Sequence, residues 1–158
     1  FMRWGRRYYS KGGFFGDLTG EIVSALVRAA ETMPTPDSDI YVIQLGGAVK
    51  DVPDSATAYT GRAAKYYWLV SPVWDDMADD SRCLAWGRAI GAEFATLSMS
   101  GNYVNEQGDA GKEVAMSAYG AEKYSRLQKL KARFDAKNLF RLNQNIKPSR
   151  GSGEPARG

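Results

Sequence analysis

The chain has 158 residues and a mass of 17.4 kDa, with 44% hydrophobic and 25% charged residues, enough for one domain with a buried core. It has no histidine and one cysteine, Cys83. That composition excludes a Ser-His-Asp triad, a histidine metal site, an imidazole base, an intrachain disulfide and a cysteine-built zinc site within these residues.

No apolar run approaches the length of a membrane span. The opening FMRWGRRYYSKGGFF has arginines but no continuous apolar segment and no small-residue cleavage site, so it does not read as a signal peptide. Core-like aromatic residues begin at once and a Phe precedes Met2, so the chain reads as a piece of something longer.

The first predicted element is a helix over Asp17–Glu31. Leu18, Ile22 and Leu26 recur every four residues, Val23, Val27 and Ala30 widen the stripe, and Asp17 serves as N-cap. The prolines of MPTPDSD end it. DIYVIQLGGAV then has the β-branched and aromatic density of a buried strand, interrupted by Gly46 and Gly47. After a polar connection, AAKYYWLVSPVW reads as a second strand, which Pro72 bends or confines to an edge.

The acidic cluster DDMADDS offers caps for a helix over about Ser81–Ser98, whose stripe is Cys83, Trp86, Ile90, Phe94 and Leu97. Gly87 and Gly91 cost that helix roughly 1 kcal/mol each against Ala, which predicts close packing against a sheet. GKEVAMSAYG suggests a short helical turn. A last helix over about Ala121–Phe134 should turn Tyr124, Leu127, Leu130 and Phe134 inward. The tail from 149 to 158, rich in Pro, Gly and Ser, is expected to be disordered. This order predicts an α+β domain, an antiparallel sheet covered on one face by helices.

The net charge of +3 is uneven: Glu122–Arg150 carries nine Lys/Arg against two acids. Those charges alternate with Leu127, Leu130, Phe134, Leu139 and Phe140 at helical spacing, and read as a solvated helix face rather than a nucleic-acid surface.

Two stretches carry a family resemblance. Tyr119–Ile146, YGAEKYSRLQKLKARFDAKNLFRLNQNI, resembles the C-terminal signature of the berberine-bridge-enzyme-like FAD-linked oxidases of the vanillyl-alcohol-oxidase superfamily. Asp135, Asn138, Phe140, Gln144, Ile146 and Pro148 match it, and Ala136 stands where a proline is usual, which should loosen the turn. GNYVNEQGD resembles the family's Tyr-x-Asn segment, while QLGGAV and ATAYTGR resemble its substrate-domain strand and following loop.

The resemblance implies that residues 1–100 belong to a substrate-binding domain and 101–148 to a C-terminal segment lying near the flavin. An N-terminal FAD-binding domain would lie outside this chain, which would be inactive alone. A flavin's pyrimidine edge offers acceptors and an N–H, to which the Asn105 carboxamide is suited. On an extended chain Tyr103 and Asn105 would share one side, with Tyr103 as base or base-partner. An ordinary phenol titrates near pH 10, so such a role needs a cation or hydrogen-bond donors nearby.

Glu106 and Asp109 read as exposed loop carboxylates. On the aromatic strand, Tyr66, Trp68 and Val70 share one face and Tyr67, Leu69 and Ser71 the other; Tyr66 and Trp68 would make a stacking wall for a small-molecule substrate. Gln44 is a candidate polar contact there, and Arg62 reads as a surface or interdomain ion-pair partner. The implied function is FAD-dependent oxidation of an alcohol, sugar or alkaloid-like donor, with no nucleic acid and no membrane. A non-catalytic module binding a small molecule or partner subunit is the alternative.

Overall fold

The computed structural model describes residues 4–109, 111–142 and 144–149. Of the expected disordered tail, 150–158 lies outside them. Strands β1 (Arg7–Tyr8), β2 (Lys11–Phe15), β3 (Asp39–Gln44), β4 (Tyr66–Ser71) and β5 (Val73–Trp74) combine with helices α1 (Gly20–Glu31), α2 (Asp80–Thr96) and α3 (Lys112–Phe134) in the expected α+β architecture. β4 is central in an antiparallel three-stranded sheet of order β2-β4-β3, and β1 pairs with β5 in a separate two-stranded ladder. Pro72 marks the point where the long predicted strand passes from one sheet to the other.

The N-terminal strands have no counterpart in the sequence reading, because two glycines in KGGFF dilute the strand signal. Those glycines serve β4: a Cβ on Gly12 would stand 2.1 Å from the Tyr67 hydroxyl, and one on Gly13 2.7 Å from the Trp68 ring. The aromatic side chains of β4 therefore fold across the bare backbone of its neighbour.

The core splits along the two faces of β4. Trp68 and Val70 pack with Phe15 from β2, with Ile22, Ala25 and Ala29 from α1, and with Phe94 from α2. Tyr67 and Leu69 face the other way, against Phe14 and Ala64. α1 is capped by Thr19, whose hydroxyl accepts from the Ile22 N–H at 3.3 Å. Asp17, the expected cap, lies too early and pairs with Lys65 at 2.6 Å instead. The α1 apolar stripe is narrower than expected, with Val23 and Val27 exposed.

α2 uses its glycines as the sequence suggests: a Cβ on Gly87 would meet the Tyr9 ring at 2.8 Å, and one on Gly91 the Lys11 stem at 2.6 Å. α3 is broken at Gly120, whose φ of 73° interrupts the helix and separates its two predicted parts. Tyr124 is buried, but Leu130 and Phe134 are 43% and 74% exposed, contrary to the inward facing expected of them. The Arg133 guanidinium lies 5.0 Å over the Phe134 ring at the end of that stripe. Beyond it, Asp135 accepts from the Leu139 and Phe140 N–H groups at 2.7 and 3.1 Å and pairs with Lys131, so the turn forms despite Ala136. Among the described residues no helix is long and apolar enough to cross a membrane.

Candidate functional site

The loop between α2 and α3 carries the Tyr-x-Asn segment. Tyr103 is extended, but Val104–Glu106 form a 3-10 turn, so the stretch is not the continuous extended chain expected. The two side chains still meet: the Asn105 Nδ2 donates to the Tyr103 hydroxyl at 2.9 Å. Asn105 is exposed and Tyr103 is 37% exposed.

Four rings, from β2, the 59–62 loop, β4 and the Tyr-x-Asn loop, close into a cycle. Phe14 meets Tyr59 with centroids 6.3 Å apart at 84°, and Tyr59 meets Tyr103 at 6.5 Å and 67°. Tyr103 meets Tyr67 at 6.2 Å and 89°, and Tyr67 returns to Phe14 at 5.6 Å and 60°. Edge-to-face contacts of this kind are the favoured arrangement for aromatic pairs. With Ile43, Leu45 and Glu106 these rings line a cavity of about 320 Å³.

Glu106 is half-buried rather than exposed, and its Oε2 accepts from the Tyr67 hydroxyl at 2.6 Å. Burial first, and then that carboxylate, push the Tyr67 phenol far above its ordinary range. The same two causes raise Tyr41, and burial raises Tyr59. These three phenols are therefore fixed as neutral groups.

Asp109 is likewise drawn in. It accepts from the Tyr9 hydroxyl at 2.6 Å and lies 3.5 Å from the Lys11 ammonium and 3.6 Å from the Arg88 guanidinium. Burial works against its ionisation, but Tyr9, Lys11 and Arg88 outweigh it and hold the carboxyl below its usual range. The Gly108 N–H donates to the Ser10 carbonyl at 2.7 Å and the Gln107 amide to the Gly12 carbonyl at 3.1 Å, which ties the loop along β2. From the C-terminal segment, Gln144 donates to the Asp109 carbonyl at 2.7 Å. Exposure failed as an expectation for both carboxylates because their partners lie 39 and 100 residues away.

The expected stacking wall lies on the helix-covered face and not in the four-ring cavity. Trp68 is 1% exposed, stacks on Phe15 at 5.8 Å, and donates its indole N–H to Ser98 at 2.8 Å beneath the helices. Tyr66 packs on that same helix-covered core. Tyr67, one residue along, takes the cavity position. Gln44 is exposed at the end of β3, outside the cavity lining. Arg62 is no surface ion-pair partner: it donates to the Val49 carbonyl and the Thr57 hydroxyl at 2.8 and 2.7 Å, and lies 5.4 Å over the Tyr59 ring. The lining residues not foreseen are Phe14, on a strand the sequence did not announce, Tyr59, in a loop, and Tyr67, on a strand whose alternation offered two equivalent faces and no means of choosing.

The stretches that carry the resemblance converge. Thr60 donates to the Ala118 carbonyl at 2.7 Å, and Lys123 reaches the Tyr59 carbonyl and Asp54, each at 2.8 Å. Residues 102–147 match the family described as "Berberine and berberine like". The FAD-linked oxidoreductase OXR1 of Pyricularia oryzae is 36% identical over 126 residues, covering 75% of this chain and 24% of its own length. The aclacinomycin-N/aclacinomycin-A oxidase of Streptomyces galilaeus is 31% identical over 127 residues, covering 70% of this chain and 23% of its own. The crystal structure of aclacinomycin oxidoreductase superposes with a TM-score of 0.71 at 29% identity, over 90% of this chain and 33% of that one. The chain belongs to the berberine-bridge-enzyme-like, FAD-linked oxidoreductases and spans about a third or less of the length of the relatives it matches.

Proposed function

We propose that this chain is the substrate-facing part of an FAD-dependent oxidase or dehydrogenase acting on a CH–OH or CH–NH donor, such as an alcohol, a sugar or an alkaloid-like amine. Residues 1–100 would contribute to the substrate-binding domain and 101–148 to the segment next to the flavin, with FAD held by polypeptide outside these residues. The contact between Asn105 and Tyr103 at the rim of the four-ring cavity carries this reading.

The polar groups at that rim suit a flavin edge. Among the described residues the Asn105 amide is engaged only by Tyr103, which leaves its carbonyl oxygen and one N–H for a ligand. FAD, when bound, supplies the acceptor for two electrons. The chain's own part is to orient the donor against the aromatic wall and to take its O–H or N–H proton on the Tyr103 oxygen, which acts as the phenolate after passing its own proton to solvent at its exposed edge. The Asn105 N–H is aimed at the atom that bears negative charge once the phenol has lost its proton. Tyr67 and Tyr41 are poor alternatives for that task, since burial and Glu106 keep both protonated.

The test is made in the full-length flavoprotein. Tyr103→Phe should slow anaerobic flavin reduction by the donor by about 10²- to 10⁴-fold while flavin content stays at the wild-type level. Wild-type reduction in that variant removes Tyr103 from the chemistry.

A further inference from the structure

Half-buried carboxylates in this protein have cations beside them: Asp109 has Lys11 and Arg88, Asp80 has Arg7, and Asp135 has Lys131. Glu106 is the exception. Among the described residues no lysine or arginine lies within ion-pair distance of it, and the groups that face it are neutral phenols, Tyr67 donating at 2.6 Å and Tyr41 beside it. A phenol satisfies one carboxylate oxygen and cancels none of its charge. Tyr67 and Glu106 together therefore leave one negative charge in a wall otherwise built of Phe14, Ile43, Leu45 and tyrosine rings. Such a charge has no counter-charge among the described residues and stands at an open cavity, where a cationic ligand can supply one.

We propose that Glu106 is a specificity-determining residue, and that the four-ring cavity receives the ammonium end of a hydrophobic monocation, an amine protonated at neutral pH on an apolar body. The proposal rests on the reading of this cavity as the substrate site. Edge-on packing around the cycle gives walls of differing orientation, and aromatic faces attract cations as well as covering apolar surface. A neutral polyol fits less well. Its hydroxyls need several free polar partners, whereas the lining is rings, Ile43, Leu45 and Glu106, with the Asn105 amide only at the rim. Its phenols are partly committed already, Tyr67 to Glu106 and Tyr103 to Asn105.

Phenyltrimethylammonium and tert-butylbenzene have nearly the same shape and differ in charge, and neither offers an alcohol or N–H to oxidise. Their binding to the full-length flavoprotein is measured by calorimetry, in the wild type and in Glu106→Gln and Tyr67→Phe. The wild type should hold the cation about tenfold more tightly or better than the neutral compound. Glu106→Gln should bring the ratio to about one without weakening the neutral compound, while Tyr67→Phe, which retains the charge, should keep the ratio.

Equal binding in the wild type overturns the proposal even if no variant folds, and so does a preference that persists in Glu106→Gln. The underlying reading fails separately: if Tyr103→Phe reduces flavin normally while the Glu106-dependent ratio holds, the cavity binds cations but is not the oxidation site.

Discussion

The two faces of β4 are built from the same kinds of residue to opposite ends. On the helix-covered face Trp68 and Val70 sit among Phe15, Phe94 and the alanines of α1, and the Trp68 N–H is tied to Ser98. On the other face Tyr67 and its ring neighbours line an open cavity and direct a hydroxyl at a carboxylate that has no cation of its own among the described residues. Aromatic content alone says nothing about function. What separates the faces is whether helices close over the rings, and whether the polar atoms they carry are answered inside the protein or left for a ligand.

The contrast is open to direct test in the full-length protein. The largest effect on stability should come from Trp68→Ala, which empties a site 1% exposed and lowers the unfolding free energy by about 3–5 kcal/mol. A urea titration showing a loss below about 1 kcal/mol would mean that this face is not the closed core. Gly13→Val should follow, at about 1–3 kcal/mol, because its Cβ would stand 2.7 Å from the Trp68 ring.

On the cavity face, Tyr67→Phe should cost only about 1 kcal/mol, since the ring remains and one hydrogen bond to Glu106 is lost. A loss as large as that of Trp68→Ala would erase the distinction between the faces. The smallest effect concerns Asp109. Its folded pKa is depressed, so its contribution is present above the unfolded carboxylate value near 4 and fades as pH falls through that value toward the folded one. Thermal midpoints followed from pH 6 to pH 3 should fall more steeply in the wild type than in Asp109→Asn; parallel curves would show that the Tyr9–Lys11–Arg88 cluster does not clasp the loop.

Much of the fold was legible beforehand. Apolar residues spaced three and four apart marked α2 and the second part of α3, the first part having read only as a short turn before Gly120, and Pro72 marked the place where a long strand changes sheets. β1 and β2 escaped notice because β2 is held by what lies across its glycines rather than by side chains of its own. The site was legible in part. Tyr103 and Asn105 stood out through their spacing and their resemblance to a known segment, and their side chains do meet, though through a 3-10 turn. Whether Trp68 or Tyr67 would lie under the helices was not legible, because a period of two defines two faces without saying which one the helices cover.

By itself, then, the sequence determined the properties that depend on neighbours along the chain: helix periodicity and breaks, the strand with its proline, and the loop that pairs a phenol with an amide. Only the tertiary structure decided that residues 14, 59, 67 and 103 close into one ring of aromatics and that, among the described residues, Asp109 is answered by three side chains and Glu106 by none with a positive charge. The physical reason is that charge balance and enclosure are properties of a volume, and the groups that meet in this volume come from stretches as much as 100 residues apart.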